Sequence, residues 1–179
     1  MTLVANTRKT AVRIASVATA VFDMHFPFGI RMNKDTHVFD ASFFENERGE
    51  KRCFMAALPI ETAEEIAAEG VKTAGSIHRI DRIETAEHLA FRKFCSEYET
   101  ALIFLPQDDG LRVLHIDDNL PVAAHCISNS PVRRTEEFLL FYNAIENKPK
   151  IVLVENEKDL AWVREILPEF PILHINILE

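Results

Sequence analysis

The chain has 179 residues, of which 47% are hydrophobic and 27% are charged. This composition excludes a disordered or collagen-like chain and predicts one globular domain, or one domain with a small additional lobe. Lys and Arg total 20 against 28 Asp and Glu, so the formal net charge is −8, which argues against general binding to nucleic acid. There are 5 glycines, and their scarcity argues against glycine-rich loops that hold phosphates. Composition and charge alone do not identify a reaction.

The three cysteines, Cys53, Cys95 and Cys126, are far apart and form no C-x-x-C pair. A disulfide framework or a four-ligand zinc site is therefore poorly supported, and a reducing cytoplasm fits best. We interpret the three as small apolar core residues.

The most apolar segment near the start runs from Ala11 to Phe22. It is shorter than the roughly 20 residues that cross a bilayer, so we expect no direct membrane insertion. Ile14, Val17, Ala18 and Val21 recur at helical spacing, which predicts a packed amphipathic helix.

The middle of the chain predicts a hairpin and two helices. His37 to Phe44 and Lys51 to Leu58 are strand-like and flank a polar turn. Thr62 to Glu65 is typical of a capping box, and the helix that it opens is expected to end at Gly70. We predict a strand from Ser76 to Ile80, then a second helix that begins in the box-like Asp81 to Glu84 and reaches about Tyr98.

From Ala101 onward the predicted order is β-β-β-α-β-α-β. Strands are expected at Ala101–Leu105, 111–116, 120–127, 150–154 and 172–178, with one helix after Ser130-Pro131 and one capped by Asn156. This order predicts a mixed α/β sheet covered by helices, and it is the order of elements in the ribonuclease-H-like fold. We predict an N-terminal helix with a small αβ lobe over residues 1–98, and the mixed-sheet lobe over 99–179. The alternative is that the two form one compact unit.

Several segments resemble PilM-like proteins, the actin-like proteins of type IV pilus assembly. The segment Val21-Phe22-Asp23-Met24-His25-Phe26-Pro27-Phe28 resembles their helix end and "l-P-F" turn, and Cys53-Phe54-Met55-Ala56-Ala57-Leu58-Pro59 resembles their "v-v-A-A-P-k-e" strand. Ser76 to Ala90, Ala101 to Ser128 and Ile151 to Leu178 resemble the segments that follow. The resemblance covers about residues 10 to 178 and implies a truncated actin-like fold.

The departures from this family bear on function. Actin-like ATPases hold phosphates with two strand-turn loops; the first needs a hairpin before residue 10, for which we expect no room. At the second, where Asp-x-Gly is expected, the chain has Phe104-Leu105-Pro106, and Pro106 lacks an amide donor. Glu155-Asn156 stands where the nucleoside-binding Gly-Gly should lie. The resemblance therefore implies a degenerate relative that hydrolyses no nucleotide, or a half-unit, and we expect no cofactor.

Candidate residues for chemistry are sparse, and we identify none as catalytic. His115 and His125 lie on neighbouring predicted strands, but His125 and Cys126 face opposite sides, so no metal site is predicted. By the crevice rule for open sheets, a cleft would lie at the carboxyl ends of the Ala101 and Lys150 strands. Its candidate residues are Gln107, Asp108, Asp109, Gly110, Glu155 and Asn156.

Three functional hypotheses remain. The first, which the resemblance implies, is a non-catalytic scaffold in a pilus-like or secretion-type machine. This scaffold is expected to be cytoplasmic and to bind the cytoplasmic tail of a membrane protein, which would hold it at the inner membrane. The second is a small-ligand or nucleotide-binding enzyme of the same fold. The third is a regulatory domain whose exposed strand edge pairs with a second copy to form a homodimer.

Overall fold

The computed structural model describes residues 2–7, 9–16, 35–76, 82–108 and 110–178. Within these ranges the chain forms ten strands and four helices. The strands are β1 Thr2–Ala5, β2 Ala11–Ser16, β3 His37–Glu45, β4 Lys51–Pro59, β5 Arg82–Thr85, β6 Thr100–Gln107, β7 Gly110–Asp117, β8 Leu120–Ser128, β9 Ile151–Val154 and β10 Ile172–His174. The helices are α1 Ile60–Ala74, α2 Ala86–Phe94, α3 Pro131–Ala144 and α4 Glu157–Ile166.

The central feature is a five-stranded mixed sheet with the strand order β10-β9-β6-β7-β8. β7 is antiparallel to both β6 and β8, whereas β9 is parallel to β6 and β10 is parallel to β9. This is the predicted β-β-β-α-β-α-β order, and the α/β fold class is confirmed.

Strand β6 lies at the centre of the hydrophobic core because its side chains are apolar on both faces. Ala101, Ile103 and Leu105 pack in a cluster with α2 and β4, whereas Leu102 and Phe104 pack against α3 and α4. All five are fully buried, and each large apolar side chain contributes about 1.5–3 kcal/mol when removed from water.

Two smaller sheets complete the fold. Strands β2, β4 and β3 form an antiparallel sheet in the order β2-β4-β3, and β1 pairs in parallel with β5. The predicted hairpin of β3 and β4 is confirmed. Among the described residues, no helix is both long enough and apolar enough to cross a membrane.

The helix predicted over residues 11–22 is wrong for Ala11–Ser16, which form strand β2, and residues 17–22 lie outside the described ranges. Val12 and Ile14, which alternate with Arg13 and Ala15, pack against the core cluster that contains Ile103 and Phe91. Pairing with β4 therefore determines that this segment is a strand, in spite of the helical spacing of its apolar residues.

The predicted ends of α1 are also wrong. The helix begins at Ile60 directly after Pro59, with no side-chain cap, and Thr62 is buried in its first turn. Gly70 lies inside the helix, and Gly75 (φ 74°) ends it by donating its N–H to Val71 O at 2.8 Å.

The start of α2 differs from the prediction in the same way. Arg82–Thr85 is a strand, and the Thr85 hydroxyl caps α2 by accepting from the His88 N–H at 3.2 Å. The helix ends at Phe94, short of Tyr98. Asp81 and residues 77–80, where a strand was predicted, lie outside the described ranges.

The C-terminal elements follow the prediction more closely. Ser130 and Pro131 open α3, and the Asn156 side chain caps α4 by accepting from the Lys158 N–H at 3.0 Å. β10 ends at His174, earlier than Leu178. Cys53 and Cys95 are buried free thiols, as expected of core residues, and Cys126 is half-buried.

Candidate functional site

A groove of about 530 Å³ lies between β1, the turn that follows it, α1 and the tip of the β6–β7 hairpin. We call it the β1–α1 groove. Its apolar side chains include Leu3 and Ile66, and its charged side chains are Lys9, Glu65, Glu69 and Asp108. It thus brings together residues from three parts of the chain.

The groove depends on a close contact between α1 and β1. A Cβ atom placed on Gly70 would lie 2.4 Å from Cδ1 of Leu3, so the Leu3 side chain would have to move if residue 70 carried a side chain. β1 is in turn positioned by its parallel pairing with β5, in which Leu3 is opposite Ile83. Gly70 and Leu3 therefore form the closest contact between the two walls of the groove.

The charge of the groove is predominantly acidic. Glu65, Glu69 and Asp108 contribute three carboxylates, and Lys9 is the one cationic side chain among the described residues of the lining. The turn that carries Lys9 is held locally, because the Lys9 N–H donates to Thr7 Oγ1 at 3.3 Å and the Thr10 N–H donates to Thr7 O at 3.1 Å. This balance favours a ligand with positive charge and some apolar surface.

Behind the groove, a buried polar network joins α2 to the central sheet. Nε of Arg112 lies 2.8 Å from Oε1 of Glu87, and Gln107 Nε2 donates to the same oxygen at 3.2 Å. Arg112 also donates to the carbonyl oxygen of Thr10 at 3.0 Å. Burial raises the pKa of Glu87, and the Arg112 charge opposes that rise. The network fixes the end of β6 relative to the segment that enters β2.

The structure separates the predicted cleft residues on the β6–β7 hairpin. Gln107 is buried in the polar network, and Asp108 lines the β1–α1 groove. Gly110 lies against β8, where an added Cβ would be 2.1 Å from Ile127 O, so its role is one of packing. Asp109 lies outside the described residues.

The other two cleft candidates lie at the carboxyl end of β9. The Glu155 N–H donates to Phe104 O at 3.1 Å, and the Asn156 side chain is engaged in capping α4. Burial raises the pKa of Glu155, and its Oε2 is enclosed without a hydrogen-bond partner. Parallel pairing of β6 and β9 brings their carboxyl ends to one edge of the sheet, as predicted, but Asp108 is the one described candidate that lines the groove.

The segment that the resemblance aligns with the second phosphate loop is part of a tight hairpin. Phe104, Leu105 and Pro106 lie within β6, and the pairing with β7 continues until Gln107 is opposite Gly110. Two residues are left to make the turn. Pro106 has no N–H to offer a phosphate at this place.

The two histidines considered for metal binding do not face each other. In the β7–β8 pairing His115 is opposite Ala123, and His125 is opposite Val113. His125 stacks on Phe141 with 5.2 Å between ring centroids, and burial lowers the pKa of both imidazoles. The described part of the chain contains no group of three or more His, Cys, Asp or Glu residues placed to hold a metal ion.

Two arginines from the local basic pairs Arg79/Arg82 and Arg133/Arg134 make contacts within the fold. Arg82 lies 2.9 Å from Glu84, and Arg134 pairs with Asp159 while its guanidinium lies 4.0 Å from the centroid of the Trp162 ring. Arg79 lies outside the described residues. These contacts leave Arg82 and Arg134 poorly suited to bind phosphates.

Sequence reasoning missed the β1–α1 groove because it placed no strand before residue 10. The signal was the short run Thr2-Leu3-Val4-Ala5 ahead of the turn-forming Asn6-Thr7. This strand pairs in parallel with β5.

No protein-family model matches the sequence, and no curated protein sequence matches it. Solved structures do match. PilM of a PilM–PilN type IV pilus biogenesis complex aligns with a TM-score of 0.66 at 12% identity, over 98% of this chain and 69% of the other. A Bacteroides thetaiotaomicron protein with an actin-like ATPase fold and unknown function aligns with a TM-score of 0.55 at 7% identity, over 96% and 67%. The fold is therefore that of the actin-like ATPases, as the resemblance implied.

Proposed function

We propose that this actin-like chain is a non-catalytic scaffold that binds a short cytoplasmic segment of a membrane protein, in an assembly of the pilus or secretion type. The likeness to PilM in a complex with PilN supports binding to a protein partner in general. The observation that supports the proposal is the tight β6–β7 hairpin, which includes Pro106 at the place where the resemblance to actin-like ATPases leads us to expect a phosphate loop.

The β1–α1 groove is the proposed binding place for this segment. Cytoplasmic segments next to membrane spans are enriched in Lys and Arg, and the carboxylates of Glu65, Glu69 and Asp108 suit such residues. Leu3 and Ile66 offer apolar contact for the remainder of an extended peptide. The protein is then cytoplasmic and held at the inner membrane by its partner.

Capture from detergent-solubilised inner membranes tests the proposal. The bait is the full chain as wild type, as Glu65→Arg in the groove, and as Glu64→Arg, an exposed neighbour on the same helix outside the groove. Both variants change the net charge equally. We expect one inner-membrane protein to be recovered by wild type and Glu64→Arg, and to be lost with Glu65→Arg.

A synthetic peptide of the captured protein's cytoplasmic segment then measures affinity by fluorescence anisotropy. We expect binding to weaken as salt rises, because charged contacts in an open groove are screened. Recovery of soluble proteins alone, or equal recovery by Glu65→Arg, contradicts the proposal.

A second candidate is binding of a small ligand or nucleotide in the same groove. Lys9 and the hydroxyls of Thr7, Thr62 and Thr73 line it together with Asp108, and these groups can contact phosphates or a bound divalent cation. Thermal unfolding with ATP, ADP and Mg²⁺ discriminates, since a ligand of the native state raises stability by about 2.7 kcal/mol at a hundred times its Kd. A shift that is absent in Lys9→Ala favours this candidate, and no shift argues against it.

A further inference from the structure

A second cavity lies where helix α3 ends beside the central sheet. It has a volume of about 270 Å³ and is lined by the end of β7, the start of β8, the last turn of α3 and the segment after it. We call it the α3-end cavity. β7 begins at Gly110, next to the hairpin tip that carries Asp108 of the β1–α1 groove, and ends at Asp117 in this cavity. The two sites therefore lie at opposite ends of a strand that is about 20 Å long.

The side-chain alternation of β7 places polar groups in this cavity. Its pairing with β6 is regular, so every second side chain lies on the same face of the sheet. Val113 on this face packs in the core cluster that contains Phe138 of α3. His115 and Asp117 follow at two-residue spacing and line the cavity together with Ala144, the last residue of the helix. Polar side chains thus replace the apolar core where α3 ends.

A β-bulge in β8 contributes to the lining. His115 is opposite Ala123 and Ile116 is opposite Pro121, so Val122 is an extra residue in β8. Val122 and Ala123 both line the cavity, although neighbouring residues of a regular strand point to opposite faces. Bulges re-aim side chains in this way and are common next to active sites.

His115 carries a polar atom for which the described part of the fold supplies no partner. The residue is 5% exposed, and its Nε2 is enclosed without a hydrogen bond. Burial lowers the pKa of His115, so the ring is neutral at pH 7. A hydrogen bond to the backbone of Asn147 opposes this fall in pKa, as donation from Nδ1 to a carbonyl oxygen does. With the proton on Nδ1, Nε2 is an acceptor that needs a donor.

The charges around the cavity favour a cation. Asp117 and Glu146 line it, and none of its described lining residues is Lys or Arg. The Lys148 charge acts on the imidazole from nearby. Its ammonium group, however, donates to the Tyr142 carbonyl oxygen and lies 4.1 Å from the centroid of the Tyr142 ring. Two carboxylates therefore remain to attract a positively charged ligand.

We propose that the α3-end cavity binds a small aliphatic amine through its ammonium group. The ammonium donates to Nε2 of His115 and to the Asp117 carboxylate, and the alkyl chain lies against Phe141 and Ile145. Residues two apart on a strand have Cα atoms about 6.6 Å apart, which leaves room for one ammonium between their side chains. An ammonium has three donors and no acceptor, so it matches both groups at once. Ligand cavities usually measure about 300–1,000 Å³, so this one suits a short chain.

Other ligand classes fit this cavity less well. An anion would face the carboxylates of Asp117 and Glu146. A metal ion needs more ligands, and the described residues contain no group of three or more His, Cys, Asp or Glu placed to hold one. A neutral alcohol could donate to His115 but would gain no attraction from the two charges.

Titration of the full ¹⁵N-labelled chain with n-butylammonium chloride at neutral pH tests the proposal by NMR. We expect saturable shifts of the His115 Nε2 resonance and of the backbone amides of residues 115–117 and 144–147. n-Butanol has a chain of the same length and a donor without charge, so it should bind at least about fivefold more weakly. Butyrate should not bind.

Matched variants assign the binding to the two acceptors. His115→Phe removes the acceptor and Asp117→Asn removes the charge, and we expect each to raise the Kd of n-butylammonium about tenfold. His174→Phe and Glu165→Gln make the same changes at exposed positions outside the cavity and should leave the Kd unchanged. Thermal unfolding without ligand verifies that each variant is folded.

The absence of saturable shifts in wild type overturns the proposal, because water alone then satisfies His115. Equal affinity for n-butanol, or a Kd that Asp117→Asn leaves unchanged, overturns the role of charge and with it the choice of an amine. Nα-acetyl-lysine methylamide carries the same ammonium group as a lysine in a peptide. Weaker binding of this compound than of n-butylammonium supports a free amine, and tighter binding overturns that source in favour of a peptide.

Discussion

Arg112 and Glu87 form an ion pair of 2.8 Å in the interior, with their side chains 6% and 0% exposed. They connect the first turn of α2 to the second strand of the central sheet, and Gln107 and Thr10 add hydrogen bonds to the pair. Removal of one partner leaves a charge buried without compensation, which is more costly than the net contribution of the intact pair.

We therefore expect Glu87→Gln and Arg112→Met each to lower the free energy of unfolding by about 3–5 kcal/mol, measured by urea denaturation. The double variant Glu87→Leu/Arg112→Met should lose much less, because it buries no charge. The exposed Lys51–Glu45 pair is the control: Lys51→Met should cost about 0–1 kcal/mol. A double variant as unstable as the single ones would contradict this account of the pair.

Glu155 makes stability depend on pH. Burial raises the pKa of this carboxyl in the folded state above its unfolded value, so the folded state binds more protons between the two pKa values. The contribution of this proton to the free energy of unfolding is fully present below the ordinary Glu pKa of about 4.3. It is lost as the pH rises through the folded-state pKa.

Glu155→Gln removes this penalty while keeping an oxygen that can accept the backbone hydrogen bond from Ile177. We expect the variant to match wild type at pH 4 and to be more stable at pH 7, as measured by urea unfolding at each pH. Glu165→Gln, at an exposed position, should show no such difference between the two pH values. A variant that is less stable than wild type at pH 7 would show that the charged form of Glu155 is favoured.

The mixed sheet could be predicted from the sequence because local pattern and tertiary pairing agree there. Ala101–Leu105 is apolar without interruption, as a strand buried on both faces must be, and the Asp118-Asn119 turn takes positive φ values of 52° and 61° that suit a tight hairpin. Asn119 and Asp118 tolerate this conformation better than other residue types except glycine.

The N-terminal part was predicted less well because its structure depends on distant residues. Ala11–Ser16 has apolar residues that satisfy both helical and strand spacing, and β4 decides between them. The sequence predicts a helix end at Gly70 because glycine commonly follows the last residue of a helix. In the structure Gly70 lies within α1, next to the Leu3 side chain. Of the cleft candidates that the structure describes, Asp108 alone lines the groove, because β1 and α1 form most of its walls and the contact between them leaves no local sequence pattern.

The contact between Gly70 and Leu3 opposes the usual gain from a helical alanine. In an ordinary helix interior, alanine is more stable than glycine by about 1 kcal/mol. At residue 70 the new methyl group would lie 2.4 Å from Leu3 Cδ1, so the half-buried Leu3 side chain has to move to make room for it.

We expect Gly70→Ala to raise the thermal unfolding midpoint less in wild type than in a Leu3→Ala background, where the space is empty. The comparison is made within each background, so the cost of Leu3→Ala itself cancels. An effect of equal size in both backgrounds would mean that Leu3 does not oppose a side chain at position 70.

Asn46 joins two turns that are far apart in the chain. Its Oδ1 accepts from the Arg48 and Glu50 N–H groups at 3.1 and 2.9 Å, and its Nδ2 donates to Asp118 Oδ2 at 2.6 Å. Asn46→Asp keeps the acceptor within its own turn but places a carboxylate against Asp118. We expect it to lower the free energy of unfolding by about 1–3 kcal/mol in urea denaturation at neutral pH.

The exchanged pair Asn46→Asp/Asp118→Asn separates the two contributions. It restores one donor and one acceptor between the turns, and asparagine is well suited to the positive φ of residue 118. We therefore expect the double variant to recover most of the stability that Asn46→Asp loses. Asp118→Asn alone leaves two amides facing each other and loses the ion pair with Arg48. The Arg48 side chain is 73% exposed, so the cost of this variant should be smaller than that of Asn46→Asp. Additive losses in the double variant would mean that the two turns are stabilised independently, with no coupling through Asn46 and Asp118.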